Sequence, residues 1–226
     1  MPPLVHPASL FRFRFSCKKL AKFAAFDDAQ AKACQLPDVS GVVGVPDLGT
    51  LSIGWHPDGL VVRACMRGVD GQRWCHATKP EDSDGLHLWL AMRPTGESHR
   101  AGRFCRRLAL LPSGGGRQAR DPLVVAAAIP RATLIPGTDA DPLQLPAVFT
   151  SDLATVTAPV CLNGWQVDAL LRAAALPGWD PEEQPTLGFF AAFVDRRLGQ
   201  IPLFAPPEYP WDSDPTTWSS LALTTS

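Results

Sequence analysis

Short segments in which apolar residues alternate with other residues recur along this chain, and they restrict it to a fold built mainly from β-strands. Two such segments, 51–55 and 60–66, flank the turn sequence His56-Pro57-Asp58-Gly59. A period of two places alternate side chains on one face of a strand. Pro and Gly occupy positions that suit a tight turn. The pattern therefore predicts a β-hairpin over residues 51–66.

The same reasoning predicts further strands. In residues 85–93, every second position from Leu86 to Met92 is apolar, and residues 187–194 are apolar on both faces, which indicates a central strand. Other predicted strands, recognised from alternation or from short apolar runs, cover residues 11–15, 104–111, 124–129, 145–149, 154–160 and 218–223, with a further candidate at Leu134.

Two segments favour helices. Asn163 can cap a helix whose apolar positions, Val167, Leu170, Leu171 and Ala174, follow the spacing of an amphipathic helix and which ends at Pro177-Gly178. A second, short helix is predicted between residues 18 and 34.

Eight or more short strands with one or two short helices predict an all-β protein, a single antiparallel β-sandwich of jelly-roll type. The chain of 226 residues contains no internal repeat and no linker. We therefore expect one domain spanning residues 1–226, with residues 1–9 and parts of 200–217 irregular.

The composition of the chain argues against some classes of binding partner. The net charge of −1 argues against a general nucleic-acid or membrane-surface binder, because both depend on a cationic field. No apolar run approaches the roughly 20 residues of a membrane helix. Residues 1–15 contain three prolines and lack the features of a secretory signal, so we expect a cytoplasmic protein.

The six cysteines form no CxxC pair, which argues against a structural zinc site. In an intracellular protein they are expected to be reduced, half-buried small hydrophobic residues. The alternative is a disulfide between Cys65 and Cys75, which flank the turn-like segment 67–71.

The densest group of cationic side chains follows the predicted strand 85–93 and comprises Arg93, His99, Arg100 and Arg103. A guanidinium group presents donors in a rigid fork that suits a carboxylate, a phosphate or neighbouring hydroxyls. We predict a ligand site on this rim of the sheet; the alternative is a set of solvated arginines in weak surface ion pairs. Arg106 and Arg107 point to opposite faces by strand alternation, so at most one of them belongs to such a site.

Tryptophan rings are natural stacking surfaces for sugars, and the chain has seven. Trp74 and Trp211 lie in polar or proline-rich loops, so we predict that these two are exposed and contact the ligand.

Cofactor and catalytic motifs are weak. The acidic groups at 81–84 and 208–214 could supply oxygen ligands to calcium, but neither has the spacing of a known loop. We expect no cofactor, with calcium as the alternative. There is no Gly-x-Ser-x-Gly elbow, and 113–116 lacks the lysine and helix of a phosphate loop. His99 beside Cys105 is the pair that a hydrolase or isomerase would use.

Four segments, 54–62 (GWHPDGLVV), 84–90 (DGLHLWL), 156–171 and 187–195 (LGFFAAFVD), resemble the core of family 9 carbohydrate-binding modules and the related DOMON-like domains. The resemblance implies a non-catalytic β-sandwich that holds a sugar between two tryptophans and is often stabilised by calcium. In other DOMON-like branches the ligand is haem.

These observations predict a non-catalytic binding or accessory module that recognises a carbohydrate or another small polar or anionic ligand at the rim. One alternative is a structural or interaction module whose basic rim meets an acidic protein partner. The other is an enzyme using His99. We expect neither nucleic acid nor membrane as a partner, and the oligomeric state stays open.

Overall fold

A computed structural model of the protein describes residues 12–69, 73–93, 98–130 and 147–225. Within these ranges, twelve strands join into one mixed sheet. The strands are β1 Arg14–Lys19, β2 Gly49–His56, β3 Gly59–Arg67, β4 Gly85–Ala91, β5 Cys105–Gly115, β6 Asp121–Ala127, β7 Ala147–Val148, β8 Ala154–Thr157, β9 Gly164–Arg172, β10 Thr186–Asp195, β11 Gly199–Pro202 and β12 Ser219–Thr224. The described α-helices are α1 Asp28–Ala33 and α2 Ser40–Val43, and short 3-10 turns cover Pro80–Asp82, Ala173–Ala175 and Pro215–Thr217.

The strands follow the order β7-β6-β5-β4-β10-β12-β1-β2-β3-β9-β8, with β11 added to β10. β1 runs parallel to both of its neighbours, and the other pairings are antiparallel. The sheet curls so that β5 and β6 pack against β9 and β8. The predicted all-β sandwich class is confirmed.

The core lies between the two layers of this curled sheet. Leucines of β4 and β5 meet aliphatic and aromatic residues of β9 and β10, and the rings of Trp165 and Phe193 make an edge-to-face contact at 5.5 Å. Each large apolar side chain buried in this way contributes about 1.5–3 kcal/mol relative to exposure. β4 is buried along its whole length, because its outer face is covered as well. There Trp89 packs against Phe190 and Trp211.

The predicted hairpin is confirmed as β2 and β3, joined at the turn where His56 pairs with Gly59. The predicted strand 187–194 is confirmed as β10, which lies between β4 and β12. The predicted short helix between residues 18 and 34 is α1, which begins with a capping box between Asp27 and Gln30.

The predicted helix over residues 163–174 is wrong, because residues 164–172 form strand β9 between β3 and β8. Trp165, Val167, Ala169 and Leu171 are buried on one face of it. Gly164 permits the pairing: a Cβ atom at this position would lie 1.9 Å from the carbonyl oxygen of Met66. Asn163 has a φ of 57° and occupies a turn before the strand.

Several expectations fall outside the described residues, namely those for residues 1–9, Phe11 and Leu134. None of the helices in the described ranges has the length and apolar character needed to cross a membrane. All six cysteines are free thiols. The alternative of a Cys65–Cys75 bridge is not realised: Cys65 lies beside Gln166 in the sheet, while Cys75 contacts the Asp84 carbonyl.

Candidate functional site

The predicted basic rim divides into separate contacts. The guanidinium carbons of Arg93 and Arg103 lie 5.8 and 4.6 Å from the centre of the Phe104 ring, so both residues contact this ring. His99 is 74% exposed, and its Nδ1 lies 2.7 Å from a carboxylate oxygen of Asp214. Arg100 is exposed. Within the described ranges, His99 contacts Asp214 and Thr216, whereas Arg93 and Arg103 contact Phe104, so the two groups share no partner.

The predicted exposure of Trp211 is wrong. Its side chain is buried, with its ring stacked on Phe190 at 5.0 Å and edge-to-face with Trp89 at 5.3 Å. These contacts close the outer face of β4 and β10, so the ring is part of the packing there.

Trp74 is partly exposed, as predicted, but it lies far from the basic rim. It contacts Asp84 at the start of β4, whereas Arg93 follows the end of that strand. At about 3.3 Å per residue, the strand separates the two places by roughly 20 Å. The structure therefore does not combine Trp74 with Arg93, His99, Arg100 and Arg103 into one site.

Asp84 fixes the backbone beneath Trp74. One carboxylate oxygen accepts a hydrogen bond from the Trp74 N–H at 2.7 Å, and the other accepts one from the Arg196 N–H at 2.7 Å. The side chain is buried, and burial raises its pKa above the ordinary value although the two N–H donors oppose this shift. Asp84 thus ties the loop carrying Trp74 to the turn between β10 and β11.

A cleft opens around the Trp74 ring, and we call it the Trp74 cleft. On one side lies a basic lobe of about 750 Å³, lined by Arg73, His76, Ser113, Gln118, Arg120 and Arg196 among others. On the other side lies an acidic lobe of about 330 Å³, lined by Glu81, Asp82, Asp195 and Gln200 among others. Trp74 and Arg196 line both lobes.

Antiparallel pairing brings these residues together from distant parts of the sequence. The starts of β4 and β6 and the ends of β5 and β10 meet at one edge of the sandwich. The end of β5 packs tightly against the Trp74 loop: a Cβ atom on Gly114 would lie 2.9 Å from the Cys75 carbonyl oxygen, and Gly114 has a φ of 106°. Sequence reasoning identified Trp74 but missed Arg73, Arg120 and Arg196. Two of these arginines, Arg120 and Arg196, lie in the turns after the predicted strands 104–111 and 187–194, and binding residues are common in such loops.

Arg107, from the basic segment, is buried and belongs to the packing of the sheet. Its guanidinium carbon lies 4.8 Å from the centre of the Trp89 ring, and one nitrogen lies 3.1 Å from His87 Nδ1. Burial lowers the pKa of Arg107 to about 10. Burial, followed by the charge of Arg107, lowers the pKa of His87 to about 3, so neutral His87 donates from Nε2 to the Ser83 carbonyl.

Two of the acidic residues considered as calcium ligands already have hydrogen-bond partners. Both carboxylate oxygens of Asp84 accept backbone hydrogen bonds, and those of Asp214 contact His99 and Thr216. Across the ranges that are described, no three His, Cys, Asp or Glu side chains cluster closely enough to hold a metal ion.

The pair suggested for catalysis is not formed. His99 contacts Asp214 and Thr216, while Cys105 is 2% exposed. Burial raises the pKa of the Cys105 thiol, which disfavours the thiolate that a nucleophile requires.

Comparison with known proteins supports the fold. No protein-family model matches the chain, and no curated protein matches it in sequence. A family 9 carbohydrate-binding module from Caldicellulosiruptor kristjanssonii, solved with cellotriose, is similar in structure, with a TM-score of 0.50, 11% identity and coverage of 94% of each chain. A proposed carbohydrate-binding protein from Bacteroides uniformis is similar at a TM-score of 0.51 and 9% identity, covering 95% of this chain and all of that one. The predicted resemblance to family 9 modules is therefore confirmed at the level of the fold.

Proposed function

We propose that this protein is a non-catalytic carbohydrate-binding module and that its sugar lies in the Trp74 cleft. The observation that carries the proposal is the partly exposed Trp74, whose backbone N–H is bound by Asp84 and which is flanked by two lobes lined with hydrogen-bonding side chains. A sugar ring presents an apolar face to an aromatic ring and hydroxyls around its edge. The cleft offers both kinds of partner.

The size of the cleft supports a ligand of this class. Ligand pockets occupy about 300–1,000 Å³, and each lobe falls within that range. The two structurally similar proteins are described as a carbohydrate-binding module and a proposed carbohydrate-binding protein, which agrees with the same class of ligand.

The thiol that lines the basic lobe is not an activated nucleophile. Cys75 is the thiol in the basic lobe, and burial raises its pKa. Its Sγ contacts the Asp84 carbonyl, so it is engaged in packing.

The test is a calorimetric titration of the protein with a panel of neutral and acidic monosaccharides and short oligosaccharides. Trp74→Ala removes the stacking surface, and Arg100→Ala removes an exposed arginine of the predicted rim. We expect Trp74→Ala to weaken binding about tenfold, since the ring contact is worth about 1.4 kcal/mol, and Arg100→Ala to leave affinity within about twofold.

The opposite ranking would move the site to the rim of Arg93, His99, Arg100 and Arg103. Absence of saturable binding to any sugar would overturn the proposal. Folding of each variant is checked by its unfolding transition before binding is compared.

A further inference from the structure

We propose that the sugar recognised by the Trp74 cleft is acidic, with a uronic acid residue whose carboxylate lies against Arg73, Arg120 and Arg196. This inference rests on the proposed function and adds the charge of the ligand. Charge is unevenly distributed between the two lobes of the cleft.

Three arginines from three separate loops line the basic lobe. Arg73 precedes Trp74, Arg120 belongs to the turn between β5 and β6, and Arg196 belongs to the turn after β10. Among the described residues that line this lobe, none is acidic. In the described ranges, none of the three guanidinium groups lies within ion-pair distance of a carboxylate.

Three like charges around one cleft raise the local positive potential, and a cleft focuses that potential on whatever enters it. A carboxylate would relieve the repulsion and offer two oxygens to the forked donors of arginine. A neutral sugar hydroxyl brings no charge to these guanidinium groups.

The fold fixes the backbone of Arg196 and the guanidinium group of Arg73. The Arg196 N–H is bound by Asp84, and the Arg73 guanidinium donates to the Gly164 carbonyl. Positions fixed before binding reduce the entropy lost when the ligand is captured.

The acidic lobe sets the direction of the ligand. Glu81 and Asp82 are exposed on the 3-10 turn Pro80–Asp82 and can accept hydrogen bonds from hydroxyls. They would repel a carboxylate. With its ring on Trp74, a uronate therefore places its carboxylate in the basic lobe and its hydroxyls towards Glu81 and Asp82.

The experiment measures calorimetric affinities of the full chain for glucuronate and galacturonate, for the methyl ester of each, and for glucose and galactose. The esters keep the ring and its substituents but remove the charge. We expect the free acids to bind at least tenfold more tightly than the esters, with a preference that shrinks as salt rises.

Arg120→Ala and Arg117→Ala form a matched pair for this test. Both residues are exposed on the turn between β5 and β6, and both substitutions change the net charge equally, but Arg117 does not line the lobe. We expect Arg120→Ala to remove most of the preference for the acid and Arg117→Ala to retain it.

Three results would contradict the inference, and they separate it from the proposed function. Equal affinity for acids and esters, both lost in Trp74→Ala, would overturn acid recognition while leaving sugar binding in place. Equal losses in the two arginine variants would assign the preference to overall charge. No binding of any sugar would overturn both proposals.

Discussion

The carboxylate of Asp84 accepts a hydrogen bond from the backbone N–H of Trp74 at 2.7 Å, and the Asp84 N–H donates in return to the Trp74 carbonyl at 2.8 Å. The residue that carries the proposed stacking surface is thus attached to the first residues of a buried central strand. Because the second Asp84 oxygen binds the Arg196 N–H, the same side chain sets the spacing of both lobes.

Asp84→Asn should destabilise the protein and weaken sugar binding together. The amide has one acceptor oxygen where the carboxylate has two, so one of the two buried N–H groups loses its partner. The expected loss is about 1–3 kcal/mol in the free energy of unfolding, measured by urea titration at neutral pH. Asp82→Asn, a change at an exposed neighbour, should stay within about 0.5 kcal/mol of wild type. Equal stability of the two variants would contradict the role assigned to Asp84.

His87 should make the protein less stable as the pH falls. The unfolded residue takes up a proton near its ordinary pKa of 6.5, whereas burial and the charge of Arg107 hold the folded pKa at about 3. Between those values the unfolded chain binds more protons, so acid favours unfolding. Between about pH 6.5 and 5, where most carboxylates remain ionised, His87→Gln should flatten the fall in the free energy of unfolding. The control His76→Gln, at an exposed histidine, should retain most of the fall.

Arg107 is predicted to stabilise the fold through its packing and to contribute little through its charge. Its lowered pKa reflects the cost of burying a cation, and its Nε has no hydrogen-bond partner in the described residues. Arg107→Met keeps the length that covers Trp89 but leaves the buried His87 Nδ1 without its donor, so we expect the free energy of unfolding to fall by about 1–3 kcal/mol. Arg107→Ala should cost about 2–4 kcal/mol more than Arg107→Met because it also leaves a cavity. A loss as large for Met as for Ala would show that the charge is required.

Gly164→Ala tests the pairing of β9 with β3. The added Cβ atom would meet the Met66 carbonyl oxygen, and neither strand can move without breaking the ladder. We expect thermal unfolding to show a loss of about 3 kcal/mol or more. Gly41→Ala makes the same change in α2, where no atom lies within 4 Å of the new Cβ, and should be neutral or slightly stabilising. Similar melting temperatures for the two variants would contradict the pairing.

Local patterns predicted most of the sheet, because alternation and turn residues act over a few neighbouring positions. They failed at β9, where Val167, Leu170 and Leu171 fit a helix as well as a strand. The alternation of Trp165, Val167, Ala169 and Leu171 was present in the same residues. Pairing with β3, which is distant in sequence, decides between a helix and a strand for these residues. Residue spacing alone does not reveal that β3 is the partner.

The candidate site was harder to predict from the sequence than the sheet, for a related reason. The cationic residues between Arg93 and Arg107 are close together in the sequence. Residues that are neighbours on a strand and in the loop beside it can nevertheless lie on different surfaces of the protein. Arg107 is buried against Trp89, and His99 is bound to Asp214. Arg73, Arg120 and Arg196 meet only because three strand ends share one edge of the sandwich. Trp211 lay in a proline-rich loop, yet Phe190 and Trp89 bury it.

The most direct test of the account is ¹⁹F NMR of protein labelled with 5-fluorotryptophan, recorded during titration with the sugar that binds best. Five of the seven tryptophans are buried, while Trp74 and Trp179 are partly exposed. The Trp74 resonance is assigned from the spectrum of Trp74→Phe. We predict a saturable shift of this resonance at the calorimetric affinity, with smaller changes at the buried rings. A stationary Trp74 resonance at saturating sugar would contradict binding in the Trp74 cleft.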